Sequence, residues 1–187
     1  MTDTENFAKV ELASAAGLWE WLDGHHRQED SVWLVTWLAK HPDKYVSRDE
    51  VLDALLAYGW IDGIRRKLDA DRTMQLISPR KTEFWAKSYK DRVERLEADG
   101  RMADPGRAAV ARGKAAGLWD FMDDVDALIV PEDLGAAGAG AAFDKLAPSY
   151  RRNVLRWIKL AKTDATRSKR IAKAAQTAAR GEKMANF

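Results

Sequence analysis

Apolar residues recur along this chain with two different periods, and the places where the period changes outline its elements. Ser14 precedes AAGLWEWLDGH, in which Leu18, Trp21, Leu22 and His25 share one helical face. Residues 31–38, SVWLVTWL, have the bulk, β-branching and aromatic content of a strand. A turn signal, HPD, follows at 41–43. Ser47 and Glu50 then form a capping-box pattern, opening a helix to Tyr58 with Val51, Leu55 and Tyr58 on one stripe. Gly59 ends it. Residues 61–68 and 73–77 read as two further strands joined by Asp69-Ala70-Asp71-Arg72, so the three runs predict a small antiparallel sheet.

Helical periodicity dominates afterwards. A charge-rich helix is predicted over 81–98, containing Trp85, Val93 and Leu96, with Gly100 and Pro105-Gly106 as punctuation before another helix at 108–116. VPEDL at 130–134 predicts a short helix with proline at its first position and acids in its first turn. The Gly/Ala-rich stretch that follows offers few packing side chains and predicts a flexible linker over 135–147. A helix from 148 to 161 presents Val154, Trp157, Ile158 and Ala161. Another, from about 165 to 180 and capped by Thr163-Asp164, presents Ile171, Ala174, Ala175 and Ala178. The expected architecture is α+β: a mixed core over 1–134, the linker, and a helical hairpin over 148–187. AAGLWEWLD at 15–23 and AAGLWDFMD at 115–123 look alike, but the likeness does not extend and implies no duplication.

Charge sharpens this division. The chain's 31 Lys/Arg and 29 Asp/Glu split as 12 and 3 from Asp144 onward and as 19 and 26 before it. Basic segments of this kind meet nucleic acid or acidic surfaces, or simply form solvated helix faces. No cysteine is present, and His25, His26 and His41 lack a metal-binding spacing, so neither a disulfide, a metal nor a cofactor is indicated. No apolar run approaches the roughly 18 residues of a membrane span. The acidic, polar opening residues lack a secretory pattern, and the expected location is cytoplasmic.

The densest chemistry lies between Tyr58 and Trp85. Trp60, Asp62, Arg65, Arg66, Arg72, Arg80 and Trp85 combine aromatic faces, one acid and four guanidinium groups, suited to gripping a carboxylate or phosphate. Strand alternation would put Trp60, Asp62, Ile64 and Arg66 on one face and Ile61, Gly63, Arg65 and Lys67 on the other, making an arginine the natural partner of Asp62. Two readings stay open: a pocket for a small anion, or an Asp–Arg network tying the sheet to the Trp85 helix. Catalysis is the weaker expectation, because no His, Cys or paired acid adjoins Asp62 in sequence. On the C-terminal helices, Arg151, Arg152, Arg156, Lys159, Arg167, Arg170 and Lys173 make a second candidate surface, for acidic partners or non-specific nucleic-acid binding.

GWIDG at 59–63, LDADRTMQLISPRK at 68–81, DRVERLEADGRM at 91–102, VPEDL at 130–134 and PSYRRNVLRWIKLAKTDATRSKRI at 148–171 together resemble the YdeI/OmpD-associated (OmdA) family. Its members are often labelled bacteriocin-protection proteins. The resemblance runs from about Trp21 to Arg180. It implies a role in tolerance of antimicrobial peptides and envelope stress and names no reaction.

Overall fold

The computed structural model of the chain describes residues 6–81 and 84–184. It divides into two compact units, Met1–Asp120 and Phe121–Phe187.

The first unit is built on a four-stranded sheet ordered β1-β2-β4-β3, with β1 at Lys9–Glu11, β2 at Val32–Trp37, β3 at Trp60–Lys67 and β4 at Arg72–Pro79. β2, β4 and β3 are the three antiparallel strands predicted. The extra strand, β1, pairs parallel to β2. Three residues with one apolar side chain give no periodic signal, yet Val10 packs against the core beneath the sheet. α1 (Ala15–His25) starts at Ser14, whose hydroxyl accepts from the Gly17 N–H. α2 (Arg48–Ala57) starts with the capping box: Ser47 Oγ accepts from the Glu50 N–H while Glu50 accepts from the Ser47 N–H. Leu18, Leu22, Val51 and Leu55 from these helices close over Val32, Leu34, Ile77 and Trp60.

Two helix boundaries differ from expectation. α3 spans Lys87–Ala98, so Trp85 precedes the helix instead of lying within it. Its N–H donates to the Leu118 carbonyl, and its buried ring belongs to a second core cluster with Leu56, Val93, Leu96, Met102 and Ala109. Residues 82–83 of the predicted helix lie outside the described residues. α4 spans Asp104–Ala115, with the supposed punctuation Pro105-Gly106 in its first turn, where proline lacks no needed donor. Gly106 permits α4 to cross the end of α2: a Cβ there would stand 2.2 Å from the Ala57 carbonyl oxygen. The look-alike nonapeptides part company here. The first lies in α1, whereas Gly117 of the second ends α4 with a φ of +67°.

The second unit holds α5 (Asp123–Asp126), α6 (Glu132–Ala136), α7 (Gly140–Asp144), α8 (Pro148–Lys159) and α9 (Asp164–Ala179). The stretch expected as a linker contains α7, and Leu134, Ala139 and Phe143 within and beside it are buried. Phe143, with Ala139 beside it, supplies the packing of the stretch. Val154 and Ile158 of α8 and Ile171, Ala174, Ala175 and Ala178 of α9 face inward as predicted, while Trp157 is half-buried instead of fully enclosed. Among the described residues no helix is long and apolar enough to cross a membrane.

Candidate functional site

The Tyr58–Trp85 tract does not converge on one point. Trp60 is wholly buried in the sheet core. Arg72 caps the β3–β4 turn, where its guanidinium donates to both Asp69 Oδ2 (2.7 and 2.9 Å) and Glu11 Oε2 (2.6 Å). At about 3.3 Å per residue, eight residues put Arg72 roughly 25 Å along the strand direction from Arg80. It is structural, and distant from Asp62.

A register irregularity between Asp62 and Arg65 overturns the expected alternation. Asp62 lies opposite Ile77, but Arg65 lies opposite Gln75, so Gly63 and Ile64 share the space facing Leu76. The extra residue moves Arg65 and Lys67 onto the face of Asp62 and sends Arg66 to the reverse side. There its guanidinium sits 5.4 Å from the Trp33 ring. Asp62 receives two neutral donors: the Tyr89 hydroxyl donates to Oδ1, and Gln75 Nε2 donates to Oδ2 at 3.2 Å. Burial first, and the Asp62 carboxylate second, push the Tyr89 phenol up to about 12. Sequence reasoning missed both partners, since Gln75 sat in a strand and Tyr89 in a charge-rich helix. An unfolded tyrosine ionises near pH 10, so this pair's stabilisation is complete below pH 10 and lost as pH rises toward 12. Phenolate absorbance should show Tyr89 ionising earlier in Asp62→Ala than in the parent. An unchanged titration in that variant would refute the pairing.

Tyr89 links Asp62 to Arg80. The Arg80 guanidinium lies 5.5 Å from the Tyr89 ring and 4.0 Å from the Trp85 ring, with one N–H donating to the Phe84 carbonyl at 3.3 Å. Arg80 is only 4% exposed, unusual for an arginine. Stacking on an aromatic face is one way such a cation tolerates burial. Beyond it opens a cleft of about 230 Å³ lined by Arg80, Lys81, Trp85, Arg112 and the small or apolar residues of α4 and the following loop. Gly113 lets the Trp85 indole pack directly against α4, because a Cβ there would stand 2.4 Å from Nε1. That N–H makes no hydrogen bond among the described residues, and the Arg112 side chain makes neither a hydrogen bond nor an ion pair among them. Lys114 and Lys90 flank the neighbouring Trp119 ring at 4.9 and 5.6 Å. Arg80 and Trp85 are the predicted residues that meet here. Arg112 and Gly113, some thirty residues downstream on α4, carried no local signal linking them to the tract.

A second, open cleft of about 760 Å³ lies beside His26 and Tyr58. Its charges are largely satisfied internally: Tyr58 donates to Asp23, and Arg107 pairs with Glu97 and Asp104.

The basic helices are also less free than their composition suggests. Arg151 pairs with Asp144, Arg152 with Asp126, Lys159 with Asp124 and Arg167 with Asp133, the last through two hydrogen bonds. Arg167 holds the Asp133 carboxyl below its ordinary range. Arg170 donates to the Trp157 carbonyl, and the Arg170 and Lys173 charges lie 5.0 and 5.8 Å from the Trp157 ring. Arg156 makes no ion pair among the described residues. Residues 121–187 carry 12 Lys/Arg and 8 Asp/Glu, so four of the seven candidate cations face acids of their own unit.

Comparison with known families follows the division into units. Residues 127–181 match the OmdA family model, described as "Bacteriocin-protection, YdeI or OmpD-Associated". That span is narrower than the sequence resemblance, whose GWIDG, SPRK and DRVERLEADGRM blocks lie outside it. Those blocks fall within residues 10–109, which match a different model, a domain of unknown function designated DUF8412. No curated protein and no solved structure matches the chain. Since the second model takes in more than half of the sequence, the chain belongs to the DUF8412 family and carries an OmdA match in its C-terminal unit.

Proposed function

We propose that this protein is a non-enzymatic binding module of a bacteriocin-tolerance system, and that its first unit holds a small anionic ligand in the cleft between Arg80 and Arg112. One observation carries the reading: every polar side chain lining that cleft among the described residues is a donor, and none is a carboxylate. Arg80, Lys81 and Arg112 bring positive charge, and the Trp85 Nε1–H brings a neutral donor. A cavity with that lining favours oxygen acceptors bearing negative charge. The bacteriocin-protection description of the OmdA family supports the biological setting. Among the described residues no nucleophile or titratable pair lines the cleft, which is why binding is favoured over turnover. The nucleic-acid reading of α8 and α9 is weaker, because acids of the same unit already occupy much of their charge.

Thermal shift tests this at constant ionic strength with inorganic phosphate, sulfate and hexanoate. A ligand at a hundred times its Kd stabilises by about 2.7 kcal/mol, which moves Tm by several degrees in a domain of this size. The shift should vanish in Arg112→Glu and survive in Arg156→Glu. Survival in the first and loss in the second would relocate the function to the basic helices.

A further inference from the structure

We infer that the anion is organic, with one charged head and a short apolar body, and that Gly113 and Ala116 set its length. This rests on the anion-binding reading and deepens it. The cleft has two unlike kinds of lining. Arg80, Lys81, Arg112 and the Trp85 N–H bring donors. Ala109 and Gly113 of α4, its C-cap Ala116, and Leu118 bring apolar surface. An inorganic oxyanion would engage the donors and leave the apolar lining against water. A ligand with a hydrocarbon body covers both. Size excludes the larger alternatives. About 230 Å³ is below the roughly 300–1,000 Å³ of pockets that enclose drug-sized molecules, so a nucleotide does not fit within it. A carboxylate on a chain of a few carbons does.

Gly113 matters because it lines the cleft and the Trp85 indole packs on it. A side chain there would collide with that indole. Ala116 sits at the exposed end of α4 and bounds the opening.

The test is calorimetric titration with acetate, butyrate, hexanoate and inorganic phosphate, using the full chain. Each buried methylene is worth about 0.8 kcal/mol, so affinity should rise about three- to fourfold per carbon until the cleft is full. Phosphate should bind more weakly than hexanoate. Because Gly113→Ala presses on a buried indole and can disturb folding, Ala116→Leu serves as the second variant. Its exposed site preserves the fold, and it should reduce hexanoate affinity at least tenfold while leaving acetate within twofold. Equal affinity along the series, or phosphate binding tighter than hexanoate, would overturn the organic-anion class and leave an anion site standing. No heat from any of the four would remove both.

Discussion

Asp53→Ala should destabilise the first unit by about 1.5–3 kcal/mol, the loss typical of removing a charged hydrogen-bond partner from a buried site. Asp53 projects from α2 and is almost fully buried. Its Oδ1 accepts from Arg92 at 2.5 Å and from Arg95 at 2.7 Å, and Arg101 lies 3.6 Å from Oδ2. Arg92 also donates to the Asp49 side chain and backbone carbonyl, so one carboxylate organises the junction of α2 with α3. Arg95 and Arg101 can relax into water when Asp53 is removed. Arg92, whose side chain is only 14% exposed, keeps its bonds to Asp49. The penalty is therefore that of a buried guanidinium losing one of its two carboxylates. Asp53→Leu combined with Arg92→Met should recover most of the loss, since an apolar pair strands nothing. Denaturant unfolding measures both. A loss below 1 kcal/mol in Asp53→Ala would mean that solvent reaches the cluster.

Arg80→Met should reduce anion affinity at least thirtyfold while leaving the protein folded. Methionine is long, unbranched and apolar, and its sulfur makes favourable aromatic contacts, so it can occupy the guanidinium's place over Trp85. What it removes is the buried charge among the cleft's lining residues. Truncating a buried charged contact at a binding site costs about 2–5 kcal/mol, and thirtyfold is the lower end of that range. Arg72→Met, by contrast, alters a residue already committed to Asp69 and Glu11 and should leave anion affinity unchanged. A Tm within a few degrees of the parent together with unchanged binding in Arg80→Met would exclude Arg80 from the site.

The comparison of these two arginines shows what was legible in the chain and what was not. Local signals reported local structure well. β-Branched runs marked β2, β3 and β4, Ser14 and the Ser47–Glu50 pair marked helix starts, and Gly59 and Thr163 marked an end and a beginning. β1 escaped because its stability comes from pairing with β2 and burying Val10, neither of which three residues announce. α7 escaped because its composition is unfavourable and its anchor is a single phenylalanine. The bulge at Gly63-Ile64 exchanged the faces of Arg65 and Arg66, a one-residue effect that strict alternation cannot register. For the site, dense charge in one stretch suggested one cluster. The antiparallel hairpin instead carried Arg72 to the far end of the sheet and left Arg80 beside Trp85. Its other partners, Tyr89, Arg112 and Gly113, come from α3 and α4, so the cleft is a product of tertiary packing.

The most direct measurement is an NMR titration following the indole N–H resonances of the eight tryptophans, with Trp85→Phe assigning the one of interest. Hexanoate and inorganic phosphate are the probes. One indole resonance, that of Trp85, should move saturably with added anion and stay still in Arg112→Glu. A Trp85 resonance that does not move while that of Trp157 does would contradict it and place anion binding on the C-terminal helices.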